Sequence, residues 1–262
     1  DRLHGYLIEE GLWGFDVLHH AIHLTTTTLL FLNPRPVRTS RTYVLPYSEQ
    51  RIGSLEFLKD SCIDVYVDLE GRPIQMKQIS IETTRQLTKL CIENFHIVIM
   101  NPPFTKKEFL MGEMSKELRK SAKRRIDQLL PYSLKSVSKA GMAAPFVVLG
   151  DKYLAKKGYM ALVLPKTSLT SEYWMKVREL LLDRYHIEYI IASYEAPNNW
   201  NFSENTNLSE VLIVARKLQE GETSGHTIFV NLWKKPTNEI EAISIGSQLI
   251  ELYEMQKVFD IS

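Results

Sequence analysis

The most constraining stretch of the sequence is Phe95-His96-Ile97-Val98-Ile99-Met100, which passes directly into Asn101-Pro102-Pro103-Phe104. Six residues with one polar member and no polar alternation predict a buried strand in a sheet interior. Two consecutive prolines then remove two backbone donors and hold φ at about −65°, so the chain must leave the strand in a rigid extended turn. In open α/β sheets ligands bind at the carboxyl ends of strands. This turn presents an amide side chain, a backbone carbonyl and an aromatic face together. The set suits a planar group bearing an amino substituent. The Asn101 oxygen and the Pro102 carbonyl accept its N–H groups, and the Phe104 ring stacks on the heterocycle. The plain structural alternative is a proline strand terminator. The apolar strand before the turn and the aromatic after it favour the functional reading.

The remaining pattern alternates helix and strand. Arg2–Glu10 predicts a short helix ended by Gly11, and Leu12–Val17 a strand closing at Asp16. Leu18–Leu32 follows as a helix, against the β-branched run Thr25–Thr28, and Asn33–Pro36 stops it. Thr42–Leu45 reads as a strand, with Gly53-Ser54-Leu55 in a loop beyond it. Val65–Gln75 reads as a hairpin turning at Glu70-Gly71, and Ile81–Asn94 as a helix with Leu87, Leu90 and Cys91 on one face. Past the proline turn come a helix at Ala143–Lys156 capped by Lys157-Gly158, a strand at Tyr159–Leu164 and a helix at Glu172–Asp183. Strands at Ile187–Ala192 and Glu210–Ala215 flank the polar loop Pro197–Asn207. Such alternation predicts an α/β fold with a mostly parallel sheet and one late antiparallel strand at Glu210–Ala215. Leu218–Gly225 reads as a linker. The domain boundary is therefore set at residue 218, with residues 219–262 starting a following region.

Hydrophobic residues at 44% and charged residues at 24% exclude wholesale disorder. Cys62 and Cys91 are the only cysteines, too few for a disulfide framework or a cysteine zinc cluster. Apolar runs fall far short of the roughly 20 residues of a membrane span. A net charge of +1 leaves any nucleic-acid role to local charge. Residues 105–125 carry eight Lys or Arg (Lys106, Lys107, Lys116, Arg119, Lys120, Lys123, Arg124, Arg125) against three Glu. That run is either a solvated helical face or a phosphate-binding surface. Asp16 is either the cap of the next helix or a carboxylate for the hydroxyls of a nucleotide ribose. Val17 beside it is either plain core or packing for a cofactor ring. His19, His20 and His23 include an i,i+4 pair but lack a third ligand, so no metal site is expected.

The motif Phe95–Phe104 resembles the catalytic motif of N6-adenine DNA methyltransferases, most nearly the modification subunits of type I and the fused type IIG restriction–modification systems. Further segments are similar to that family in its own order. They are Trp13-Gly14-Phe15-Asp16-Val17, Gly53-Ser54-Leu55, Lys156-Lys157-Gly158 with Tyr159–Pro165 and Ser168-Leu169, and Leu212–Lys217. The resemblance covers residues 1 to about 218. It implies a Rossmann-like S-adenosylmethionine-dependent methyltransferase fold that flips adenine out of duplex DNA and methylates its N6. It implies Asn101, Pro102, Pro103 and Phe104 as the catalytic set, and Asp16, Val17, Ser54 and Leu55 around the cofactor. It also implies DNA contacts from Lys106, Lys107, Arg119, Lys120, Lys123, Arg124 and Arg125. The resemblance implies double-stranded DNA as partner, with room for a specificity subunit or fused target-recognition domain, a cytoplasmic setting and no membrane role. The family's glycine-rich loop is missing before Asp1, so the sequence reads as a fragment expected to bind S-adenosylmethionine weakly or not at all by itself. Two alternatives remain: a methyltransferase for RNA guanine N2 or protein glutamine, and a non-catalytic DNA-binding or assembly subunit.

Overall fold

The computed structural model describes residues 2–32, 40–45, 51–67, 86–103, 116–193, 209–232 and 236–255. They belong to two compact units, Asp1–Glu93 with Lys107–Ser138 and Asn94–Lys106 with Lys139–Ser262.

The first unit opens with α1 (Arg2–Tyr6), which runs into a π-turn at Leu7–Gly11. Next come β1 (Trp13–Asp16), α2 (His19–Phe31) and β2 (Arg41–Val44), close to the sequence expectation. β1 and β2 pair in parallel, with Phe15 opposite Tyr43. Their shared face is aromatic. The Phe15 and Tyr43 rings stack at 5.9 Å, Trp13 lies 5.9 Å from Tyr43, and Phe15 meets the buried Phe57 at 5.6 Å. The Arg41 guanidinium covers Trp13 at 4.7 Å and bonds the Glu10 carboxylate. Burial lifts the Tyr43 hydroxyl above its usual pKa, with Arg41 opposing. The threonine run does not break α2. Thr26 donates to the Ile22 carbonyl at 2.8 Å and so must accept from Thr42 at 2.6 Å, which joins helix to strand.

β3 (Cys62–Val67) and β4 (Gln86–Cys91) pair antiparallel. Residues 86–91 are therefore strand, not the helix read over Ile81–Asn94. The apolar spacing also fits one face of a ladder, and the partner strand lies too far along the chain for local pattern to reveal it. The pairing brings Cys62 opposite Cys91, and a single disulfide joins them. The Glu70-Gly71 turn and Asn33–Pro36 lie outside the described residues. α3 (Lys116–Leu129) completes this unit, seated by a stripe of buried Ala122, Ile126 and Leu130.

The second unit is built on five strands: β5 (Phe95–Met100), β6 (Leu154–Pro165), β7 (Tyr185–Ser193), β8 (Glu210–Lys217) and β9 (Ile228–Leu232). Their order is β5-β6-β8-β7-β9. β5 pairs parallel with β6 and β7 with β9, whereas β8 runs antiparallel to both of its neighbours. The antiparallel strand at Glu210–Ala215 is present, but it sits between β6 and β7. The sheet is thus mixed rather than mostly parallel. β9 extends it past residue 218.

A second correction concerns β5. Among the described residues it is an edge strand, not an interior one. Val98 and Met100 face inward, but Ile97 and Ile99 are 64% and 78% exposed. A continuous apolar run cannot say which of its faces is covered.

Helix α4 (Ala143–Tyr153) packs on β6 and α5 (Met175–Arg184) on β7, and Met160, Leu162 and Leu164 of β6 with Val211 and Ile213 of β8 are buried. The helix read to Lys156 ends at Tyr153. Strand begins at Leu154, with Lys157 at φ 65° and Gly158 pressed against the carbonyls of His96 and Ala155. α6 (Glu239–Met255) follows β9 and receives the Tyr189 hydroxyl on the Leu249 carbonyl at 3.3 Å. Among the described residues no helix is long and apolar enough to cross a membrane.

Candidate active site

In the second unit, Met100 lies opposite Leu162 in the parallel β5–β6 ladder. Both strands therefore point their carboxyl ends the same way, but β5 leaves the sheet at Met100 while β6 continues three residues further, to Pro165, on its pairing with β8. Asn101 is exposed, Pro102 is buried and Pro103 is half-buried. Burial anchors the turn by its proline while leaving the amide at the surface. Gly150 of α4 sets the floor behind it. A Cβ there would stand 2.7 Å from Met100 Cε and 3.1 Å from Met160 Sδ, so glycine lets helix and strand approach directly behind Asn101. Phe104 lies outside the described residues, as do Lys106 and Lys107.

The neighbouring exit, from β6, is a 3₁₀ turn at Lys166–Leu169. Lys166 N–H bonds the Ser209 carbonyl at 2.7 Å, next to the start of β8. Arg178 of α5 donates to the carbonyls of Ser168 and Ser171, 2.8 Å each. The tie from Arg178 escapes sequence reading, because nothing local marks a helical arginine as the clamp of a turn ten residues earlier.

In the first unit, Asp16 ends β1 as expected. Its Oδ1 accepts the Leu18 N–H at 2.8 Å, which fixes the carboxylate plane. That bond closes a local turn ahead of α2, whose N-cap is Leu18 without a side-chain cap, and it leaves acceptor capacity on the other oxygen. Val17 is half-buried beside it. Gly53-Ser54-Leu55 is not an open loop. It starts a 3₁₀ turn over Gly53–Leu58, with Gly53 at φ 62°. Ser54 is half-buried and Leu55 is fully buried in the core.

Glu56, unmarked in the sequence, holds this turn. Its carboxylate accepts the Ile52 N–H at 3.0 Å and Arg125 Nη2 at 2.9 Å. Arg125 is thereby committed to a nearly buried partner. Lys120 and Arg124 are exposed and Lys123 is half-exposed, while Arg119 lies in the first turn of α3. The face of α3 opposite its buried stripe is therefore cationic.

Residues 10–198, well over half of the chain, match the sequence model described as Eco57I restriction-modification methylase. No curated protein matches the chain. Solved structures resemble it loosely. One, described as a class I S-adenosylmethionine-dependent methyltransferase from Listeria monocytogenes, is 15% identical with a TM-score of 0.37, over 61% of this chain and 43% of that one. A second, described as a modification subunit of a type I restriction enzyme from Vibrio vulnificus, is 17% identical with a TM-score of 0.39, over 61% and 32%. A third is a nuclease-deletion mutant of the type ISP restriction-modification enzyme LlaGI in complex with a DNA substrate mimic, 13% identical with a TM-score of 0.39, over 59% and 16%. The matches span less than half the length of each of these three chains, and likenesses this loose bear on neither activity nor partners.

Proposed function

The chain belongs to the Eco57I restriction-modification methylase family, and from that premise we propose that it transfers a methyl group from S-adenosylmethionine to N6 of adenine in double-stranded DNA, in a Rossmann-like fold. The observation that carries the reading is the Asn101-Pro102-Pro103 turn at the carboxyl end of β5, with residue Asn101 exposed and Pro102 buried.

Adenine N6 is out of reach inside the base stack, so the base must leave it, at a cost of a few kcal/mol. Asn101 and the Pro102 carbonyl accept the two N6 hydrogens and draw the nitrogen lone pair out of conjugation with the ring. Acceptors fixed in advance stabilise that state more than the ground state, and this difference is what accelerates transfer. Phe104 stacks on the base and returns roughly 1–3 kcal/mol. No cysteine nucleophile is needed.

The acidic strand end fits the cofactor's ribose, because Asp16 retains acceptor capacity after taking the Leu18 N–H. S-adenosylmethionine, when bound, supplies an electrophilic methyl group on a sulfonium. Asp16 would hold the ribose hydroxyls, with Val17 and Ser54 alongside. Lys120, Lys123 and Arg124 bind phosphates, the dominant source of affinity for DNA. A specificity subunit or a fused recognition domain supplies the target sequence, and the enzyme works in the cytoplasm.

The test is transfer of labelled methyl from S-adenosylmethionine to DNA by the full-length protein, followed by nucleoside analysis. The label is expected on N6-methyladenine. Asn101→Ala is expected to slow single-turnover transfer by ~10²–10³ with fold and DNA binding retained, and Phe104→Ala to slow it less. Near wild-type transfer by Asn101→Ala reduces the turn to a strand terminator and ends the reading.

A further inference from the structure

Ser168 sits in the turn that leaves β6. Its residue is only 3% exposed, yet its hydroxyl has no hydrogen-bond partner among the described residues. Burying an unpaired hydroxyl is unfavourable, and native proteins seldom keep one without a reason. The backbone around it is tied at several points. Arg178 holds the Ser168 and Ser171 carbonyls, Lys166 N–H bonds Ser209, and the Ser171 N–H bonds the Thr167 carbonyl at 2.9 Å. The hydroxyl is thus held in place by its surroundings but left unused by them. Because β5 and β6 are adjacent and parallel, this turn leaves the same end of the sheet as Asn101-Pro102-Pro103, after β6 has run three residues past the Met100–Leu162 pair.

We propose that the Ser168 hydroxyl contacts the substrate, donating a hydrogen bond to a ring nitrogen of the base whose amino group Asn101 and Pro102 hold. This rests on the adenine reading above. A purine offers unprotonated ring nitrogens as acceptors, and a hydroxyl is the smallest side-chain donor that suits one. Ser168 is then a specificity residue. It separates adenine from bases whose matching ring position carries a proton, since two opposed donors cannot pair.

Single-turnover methyl transfer by the full-length protein tests this, on duplexes whose target adenine is replaced by 1-deaza-, 3-deaza- or 7-deazaadenine. Wild type, Ser168→Ala and Asn101→Ala are compared, with thermal midpoints for each. Ser168→Ala is expected to slow transfer to adenine about tenfold while its midpoint stays level or rises, because the unpaired group is gone. One deaza analogue slows the wild type about equally and slows Ser168→Ala no further. Wild-type speed in Ser168→Ala overturns the proposal. So does a slowed Ser168→Ala that every analogue slows as much as it slows the wild type, for the hydroxyl is then structural. Undiminished transfer by Asn101→Ala sinks the adenine reading instead, and the two failures are told apart by which variant produces them.

Discussion

Asp151, at the end of α4, gathers three partners in the second unit. Its carboxylate takes Arg184 Nη1 at 2.5 Å, the Tyr185 hydroxyl at 2.9 Å and Lys217 Nζ at 3.2 Å, and its side chain is 6% exposed. Asp151→Ala removes all three contacts at unequal cost. Arg184 is more than half exposed and returns to water, so its loss is minor. Lys217 keeps the carbonyls of residue 151 and Leu154, at 2.5 and 3.0 Å, and gives up only part of its stabilisation. Tyr185, almost wholly buried, is left holding an unpaired hydroxyl. Loss of a bond to a charged acceptor costs about 1.5–3 kcal/mol, and Lys217 adds about 1 kcal/mol. The expected destabilisation is therefore about 2.5–4 kcal/mol, a large share of a net stability of ~5–15 kcal/mol. It corresponds to a fall in Tm of roughly 10 °C. Urea unfolding followed by circular dichroism measures it, with an unchanged m-value as the control. In a Tyr185→Phe background the same substitution is expected to cost about 1.5–3 kcal/mol less. A loss under about 1 kcal/mol, or strict additivity of the two changes, refutes this assignment.

Three further outcomes are expected. Burial first, and the Asp151 carboxylate second, hold the Tyr185 hydroxyl above its ordinary pKa of 10.0. Above that pH the unfolded chain sheds the proton and the folded one keeps it, so stability is lost at up to ~1.4 kcal/mol per pH unit. Tyr185→Phe is expected to remove that slope in alkaline denaturation, and an identical profile in the variant denies it. Gly158→Ala drives a Cβ to 2.8 and 2.9 Å from two backbone carbonyls, and is expected to lower urea stability by roughly 1–3 kcal/mol; a neutral effect shows that the β5–β6 junction yields. On α3, replacing Lys123 and Arg124 by Ala is expected to lower the salt dependence of DNA binding by about one per lost contact. Arg125→Ala is expected to cost stability instead, because Glu56 loses its partner, and salt titrations alongside melting curves separate the two.

The elements legible in the sequence are those whose signal is local. The apolar runs of β5 to β8, Gly11 after α1, and the double proline after Met100 each announce themselves within a few residues. What stayed hidden depends on partners distant in sequence. Gln86–Cys91 is a strand because Cys62–Val67 lies against it, and nothing in its own spacing of leucines says so. Phe95–Met100 has the composition of an interior strand, and only the sheet order shows Ile97 and Ile99 at an outer edge. In the site, Asn101 and Asp16 were visible because a proline pair and a strand end flag them. Glu56, Arg178 and Ser168 carry no such flag: two act through charge or hydrogen bonding to residues elsewhere in the chain, and the third stands out only by lacking a partner. Arg125 shows the converse. It looks like one more member of a basic run, but its geometry commits it to the interior.

The Cys62–Cys91 bond spans 29 residues of chain. Closing a loop of that length removes unfolded-state entropy worth about 3–4 kcal/mol. In the reducing interior that the proposed function implies, the same pair rests as two thiols. The hairpin then depends on its β3–β4 ladder and on Arg51, whose guanidinium holds the Asp64 carbonyl at 2.6 Å. One polypeptide accordingly exists as two thermodynamic species, a looser one under glutathione and a stiffer one after air oxidation. Stability measured without reductant exceeds that measured with it by the contribution of that one bond.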